Sequence, residues 1–239
     1  MTECNHNCES CSQDNCESRI DKEKANDFSQ IKNVVAVVSG KGGVGKSMVT
    51  SLLAVELTRL GYKVGILDAD ITGPSIPKSF NINDKVMGNE SGIFPAKSSL
   101  GTKIISINLL LENNTDPVLW RGPIISGVLK QFFTDVIWGE LDYLLIDMPP
   151  GTADTALTIF QSLPVDYALI VTSPQDLVSM IVEKAIKMAD MMNISVLGAV
   201  QNFSYVICDK CGNKIELFGN ESGNNLSIPI LDRIPFDKK

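Results

Sequence analysis

The run GKGGVGKS, Gly40 to Ser47, constrains this chain more than any other stretch. A glycine, four further residues and then Gly-Lys-Ser lie directly after the apolar run VVAVV at 34–38 and directly before a helix-length apolar pattern. Glycines in such a turn let successive backbone N–H groups converge on phosphate oxygens, and the following helix adds the partial positive charge of its N-terminus. A lysine at the position of Lys46 neutralises β and γ phosphates, and a hydroxyl at the position of Ser47 binds Mg²⁺. An ordinary glycine-rich turn has no reason to end on Lys-Ser between a strand and a helix. The spacing therefore predicts a P-loop for a nucleoside triphosphate, with contacts from Gly40, Lys41, Gly42, Gly43, Val44, Gly45, Lys46, Ser47 and Met48.

The rest of the chain fits the fold such a loop demands. Short apolar runs at 34–38, 63–68, 103–107, 143–147, 167–172 and 196–200 alternate with helix-length segments. That alternation predicts an α/β fold: a single P-loop NTPase domain, residues 32–239, with a mostly parallel sheet covered by helices on both faces. Val49, Leu52, Leu53, Leu57 and Leu60 are expected on one helical face that ends at Gly61, and further helices are expected over Ile124–Trp138 and from Leu177 to about Met192. The Met-rich end of the last one, MADMMN, reads as the end of a core helix. Residues 1–31 are polar, carry four of the six cysteines, and form a Cys-rich arm ahead of the domain.

A P-loop needs a carboxylate beside its metal, and an aspartate closing a buried strand supplies one. YLLID ends on Asp147, the expected Walker B residue, and KVGILD ends on Asp68, with Asp70 two positions on. Asp68 is expected to help position the metal, and Asp70, further along the loop, to orient the attacking water. Lys46 and Asp70 are the catalytic residues that this pattern predicts.

Charge and composition remove other classes. Lys and Arg number 21 against 28 Asp and Glu, a net charge of −7, which argues against a protein whose main work is gripping nucleic acid or anionic lipid. No apolar run reaches the length of a membrane span, and the start MTECNHNCESCSQDNC has neither a basic nor an apolar leader segment. A cytoplasmic address and reduced thiols are the expectation.

Two cysteine groups then need a chemistry. Cys208 and Cys211 form a Cys-x-x-Cys, half of a four-thiolate site. An iron–sulfur cluster, zinc or a redox pair all use such ligands, though a thioredoxin-type dithiol opens a helix and this one precedes a Gly-Asn turn. Cys4, Cys8, Cys11 and Cys16 lie close enough to wrap one metal centre, an iron–sulfur cluster or, with His6, zinc; an oxidisable tail is the remaining reading.

KGGVGKS, LDADITGPSIP, LWRGPI, LIDMPPGTAD, TSPQ and the late Cys-x-x-Cys together resemble the Mrp-type iron–sulfur cluster carriers, deviant-Walker ATPases related to MinD, ParA and the nitrogenase iron protein. The likeness runs from about residue 32 to the C-terminus. It implies a face-to-face homodimer in which Lys41 reaches the phosphates held by the other subunit. It also implies a labile 4Fe-4S cluster bridged by Cys208 and Cys211 of both subunits, received from cluster-assembly donors and delivered to apo iron–sulfur proteins. ATP hydrolysis would be slow and serve as a switch, with Asn202 reading adenine and Pro235 and Asp237 beside it. Trp120, Arg121 and Pro123 match the family's WRGP segment without a definite role. The stretch after Cys211 is shorter than the family's usual one, so apolar surface is expected to be uncovered there and the C-terminus is either compact or truncated. A MinD- or ParA-like positioning ATPase would need a C-terminal amphipathic helix or a basic stripe, and the sequence has neither. A metal- or redox-sensing regulator stays open as the other alternative.

Overall fold

The computed structural model describes residues 22–71, 73, 75–111, 122–151, 154–174, 178–216 and 226–237. Cys4, Cys8, Cys11, Cys16 and His6, and also Trp120 and Arg121, lie outside the described residues. β1 (Gln30–Ser39) leads into the glycine-rich loop and α1 (Lys46–Arg59) leaves it. There follow β2 (Val64–Asp68), a one-turn α2 (Ile76–Ser79), β3 (Met87–Asn89), β4 (Gly92–Phe94), β5 (Ala96–Lys97) and β6 (Lys103–Ile105). The second half runs α3 (Gly122–Thr134), β7 (Glu140–Asp147), α4 (Asp154–Ser162), β8 (Tyr167–Thr172), α5 (Val178–Met191) and β9 (Ser195–Gln201). The chain closes with β10 (Tyr205–Ile207), β11 (Lys214–Glu216) and β12 (Ile230–Arg233).

Eight strands form one sheet in the order β12-β9-β8-β1-β7-β2-β6-β5, and only β5 runs antiparallel to its neighbour. The expected α/β architecture with a mostly parallel sheet is therefore present. β1 is where the order reverses: the chain first steps across β7 to β2 and later adds β8, β9 and β12 on the other side. Ligands of such sheets bind outside the carboxyl ends of the strands at that reversal, which is where the Gly40–Ser47 loop stands.

The apolar run 34–38 is continuous because β1 is covered on both faces. Val34, Ala36 and Val38 face one core with Phe132 and Phe133 of α3, Phe160 of α4 and Ala185 of α5. Val35 and Val37 face the other, with Val49 and Ala54 of α1. The chain ahead of β1 is tied to the domain, since the Glu23 N–H donates to the Ser162 carbonyl at 2.7 Å and its carboxylate pairs with Lys130 at 3.1 Å.

Several boundaries differ from expectation. The strand expected over 103–107 stops at Ile105 and gives way to a 3₁₀ turn at Ile107–Leu109. The helix expected to reach Trp138 stops at Thr134, and Trp138 is buried in the approach to β7, its Nε1–H donating to the Phe132 carbonyl at 3.3 Å. α1 buries Lys46, Val49, Thr50 and Ala54, with Leu53 and Leu57 packed against the core, whereas Leu52 and Leu60 are exposed. Lys46 and Thr50 must face the sheet edge, and this sets the helix phase so that Leu52 turns outward; Leu60 lies past the last turn. Gly61 ends α1 as expected: at φ +92° its N–H donates to the Thr58 carbonyl and that of Tyr62 to Leu57, a Schellman closure.

Candidate functional site

The loop geometry explains its glycines. Gly45 sits at the N-cap of α1 with φ 83° and ψ 26°, a left-handed conformation that side chains resist. A Cβ there would also lie 2.2 Å from Asn202 Nδ2. Lys46, Ser47 and Met48 form the first turn of the helix; Met48 is exposed while Lys46 is buried. Lys41, the second lysine of the loop, is half-buried, and Gly42 and Gly43 are open to solvent.

Asp147 is the centre of this site. Register pairs it with Val37 of β1 on one side and with Asp68 of β2 on the other, so it closes the sheet directly beside the loop. It is fully buried, and three groups of α1 converge on it. The Ser47 hydroxyl donates to Oδ2 at 2.6 Å and the Thr50 hydroxyl to Oδ1 at 2.7 Å. The Lys46 ammonium stands 2.8 Å from Oδ2, an ion pair by distance, although it lies off the hydrogen-bond line. A buried cation and anion are tolerated only as such a pair. The fold brings Lys46, Ser47 and Asp147 together. Thr50 was not anticipated; its signal is the i, i+3 and i, i+4 spacing from Ser47 and Lys46, which puts it on the same helical face.

Asp68 is also buried, accepts from the Ser106 hydroxyl at 3.0 Å, and is joined by the backbone N–H of Asp70 at 3.3 Å. Burial, reinforced by the neighbouring Asp147 charge, pushes its carboxyl up to about 8. At neutral pH the Asp68 carboxyl is therefore mostly protonated. Asp70 is half-buried in the loop beyond β2, where its Oδ1 receives the Gly73 N–H at 3.3 Å. A hydroxyl, a carboxylate and an ammonium at the mouth of a phosphate loop fit Mg²⁺ beside a nucleotide's phosphates.

Asn202, the expected reader of adenine, lies against the phosphate loop. It follows β9, is completely buried, and its Nδ2 donates to the Val44 carbonyl at 2.9 Å. It supports the loop from beneath, and its Oδ1 has no hydrogen-bond partner among the described residues. The next residue, Phe203, holds a left-handed φ of 57°.

Cys208 and Cys211 occupy the tip of a hairpin made by β10 and β11, where Ile207 pairs with Lys214. The Cys208 N–H donates to the Asn213 carbonyl at 2.9 Å and the Gly212 N–H to the Cys208 carbonyl at 2.8 Å. Cys208 is half-buried and Cys211 exposed, both as free thiols. The N–H groups of Cys211 and Lys210 aim at the Cys208 sulfur, and with the Cys211 thiol they hold it below the ordinary thiol range. Among the described residues no group of three or more His, Cys, Asp or Glu side chains is arranged to hold a metal ion, so this pair offers two thiol ligands on its own.

A buried carboxylate held by Lys, Ser and Thr at the start of the helix after a glycine loop, on a parallel sheet of this order, defines a P-loop NTPase. The profile of the NUBPL iron-transfer P-loop NTPases, a ParA-type family, matches residues 30–239. An iron–sulfur cluster carrier protein of Clostridium perfringens is 48% identical over 96% of this chain and 85% of its own length. One from Methanocaldococcus jannaschii is 45% identical over 100% of this chain and 87% of its own length. A nucleotide-binding protein of Archaeoglobus fulgidus, solved in complex with ADP, superposes with a TM-score of 0.77 at 45% identity over 87% of this chain and 83% of that one. The chain belongs to the iron-transfer P-loop NTPase family. No helix among the described residues is long and apolar enough to cross a membrane.

Proposed function

We propose that this protein binds and slowly hydrolyses ATP and carries an iron–sulfur cluster, held between two copies of the chain, to apo-proteins. The observation that carries the reading is the pairing of a formed P-loop with a thiol-bearing hairpin that begins only three residues after the loop's support Asn202. The relatives named as cluster carriers cover nearly the whole chain.

In this reading the backbone N–H groups of the Gly40–Ser47 loop and Lys46 hold the β and γ phosphates, which compete with Asp147 for the ammonium. Ser47, with Asp147 and Asp68 nearby, would hold Mg²⁺, which when bound would neutralise phosphate charge. Asp70 orients the attacking water, and Lys41 serves the phosphates of the facing subunit. The single domain over 32–239 does this work, while the arm over 1–31 holds a second metal centre on Cys4, Cys8, Cys11 and Cys16. Asn202 remains the candidate for selecting adenine, with its Oδ1 the one amide atom not engaged.

The cluster is cargo. An isologous dimer places residues at its two-fold axis beside their symmetry mates, so with the hairpin tips at that axis two Cys208–Cys211 pairs make the four thiolates of one 4Fe-4S cluster. A site split across a separable interface releases its contents when the interface opens, which suits transfer from an assembly donor to a recipient.

Anaerobic reconstitution with iron and sulfide tests this. About four irons per dimer, lost on replacing Cys208 and Cys211 by Ala, is the expected result. Stoichiometric zinc on those residues in protein purified without air would count against it. Lys46→Ala is expected to lose ATP turnover, and normal turnover in that variant would remove the phosphate-cradle assignment.

A further inference from the structure

Between the P-loop and the cysteine hairpin lies one short stretch, Asn202-Phe203-Ser204, that touches both. Its first residue is anchored to the loop through the 2.9 Å bond from Nδ2 to the Val44 carbonyl and to the sheet through its N–H on the Thr172 carbonyl at 2.8 Å. Its second residue reaches the same loop, since a Cβ on Gly45 would lie 3.5 Å from Phe203 Cζ. On its other side the Phe203 ring meets Phe236 edge-on, with centroids 5.6 Å apart and planes at 66°. Phe236 in turn donates its N–H to the Tyr205 carbonyl at 2.7 Å, while the Ser204 N–H donates to the Ile234 carbonyl at 3.0 Å. Tyr205 opens β10, and its ring lies 4.0 Å from the Lys214 ammonium on β11. The contacts are thus continuous from Gly45 to both strands that carry the thiols.

Phe203 is also the one residue of this stretch held at φ 57°. A non-glycine side chain keeps a left-handed backbone only where its surroundings impose it. The surroundings here are Gly45 on one side and Phe236 on the other, so a shift of either changes what holds Phe203 in place. Phe203 thus holds a constrained backbone position in contact with both sides, where energetic coupling between the two sites can pass.

We propose that Phe203 is a positioning residue that couples the nucleotide loop to the cysteine hairpin within one subunit, passing movement of Gly45 through Phe236 to Cys208 and Cys211. The proposal rests on the reading above, in which the loop takes nucleotide and the hairpin takes the cluster. It adds that release of cargo is set inside each subunit as well as by separation of the two. Phe203 touches neither phosphate nor sulfur; it acts through the loop on one side and the hairpin on the other.

The test measures how fast iodoacetamide alkylates Cys208 and Cys211, resolved by peptide mass spectrometry, in the reduced, cluster-free full chain with and without saturating Mg-ADP. In the parent protein nucleotide is expected to change the Cys208 rate about fivefold or more. In Phe236→Ala and in Phe203→Ala the ratio is expected to fall to near one at saturating nucleotide, and Phe236→Tyr, which keeps a ring, is expected to restore it. A lesion that merely loosened the hairpin would raise both rates and leave their ratio. If both alanine variants keep the parent ratio, the coupling runs elsewhere and the proposal fails. A parent ratio of one with Mg-ADP bound also ends it, while leaving the carrier reading intact. Absence of Mg-ADP binding in the parent overturns both, and failure of Cys208 and Cys211 to load iron overturns the carrier reading and with it the control of cargo release, while the nucleotide-dependent alkylation ratio still decides the coupling. Should Phe203→Ala not fold, Phe236→Ala carries the test, because that ring is 45% exposed and outside the core.

Discussion

The P-loop and the cysteine hairpin, the two places read as ligand sites, are built in opposite ways. Around Asp147 the groups are closed in, Lys46 and Thr50 buried and Ser47 half-buried, and all three from one helix meet a carboxylate fixed between two neighbouring strands. The hairpin has three paired residues on each strand, exposed Ile207 and Ile215, and a sulfur pair at its tip. The first site is assembled by the fold; the second is displayed by it. Phosphate needs a fixed set of charges and donors. A cargo that must come and go needs an accessible site, completed by something outside the subunit.

The comparison is most sharply tested at Asp147. Asp147→Ala leaves the buried Lys46 ammonium without its counter-charge and the half-buried Ser47 hydroxyl without its acceptor, while Thr50 keeps only the Lys46 carbonyl, so a loss of about 3–5 kcal/mol in unfolding free energy is expected by denaturant titration. A loss under about 1 kcal/mol would mean that water reaches Lys46 and that the site is less closed than its burial indicates.

Asp68 gives the next largest effect, and it has a sign. Its folded pKa is raised to about 8, so between the ordinary carboxyl range and about 8 the folded state holds a proton that the unfolded state has released. Stability is then greatest at low pH in that window and falls as pH rises through it, by about 2 kcal/mol between pH 6 and 8 from this group. In nucleotide-free protein with chelator, Asp68→Asn is expected to flatten the slope of unfolding free energy over that range. An unchanged slope would place the proton on another group.

The same contrast explains what was legible in the sequence. The loop was readable because its backbone demands glycine at Gly45, and the strands because β-branched runs covered on two faces admit few alternatives. Asp147 and Asp68 followed from closing such strands. Thr50 and Ser106 were not readable: a threonine and a serine are common anywhere, and they matter only because folding sets them against the two carboxyls. The adenine role of Asn202 came from resemblance, whereas its bond to the Val44 carbonyl depends on β9 ending beside the loop, which no local pattern encodes. β3 and β4, at Met-Gly-Asn and Gly-Ile-Phe, are too short to show an alternation. The phase of α1 was misread at Leu52 because apolarity, without the demand that Lys46 and Thr50 face Asp147, favours a wider stripe.

The smallest effect belongs to the hairpin. Replacing both Cys208 and Cys211 by Ala removes a half-buried thiol and an exposed one from the six-residue connection between β10 and β11. The hairpin strands stay joined through the Ile207–Lys214, Val206–Ile215 and Tyr205–Glu216 pairs, and the tail still bonds Tyr205 through Phe236. Unfolding free energy of the metal-free protein should therefore move by no more than about 0.5 kcal/mol. A bound cluster would stabilise the parent but not this variant, because a ligand that binds only the native state adds stability with its concentration. A drop of about 2 kcal/mol or more without metal would show that the thiols help to hold the fold, and the division between an assembled site and a displayed one would no longer stand.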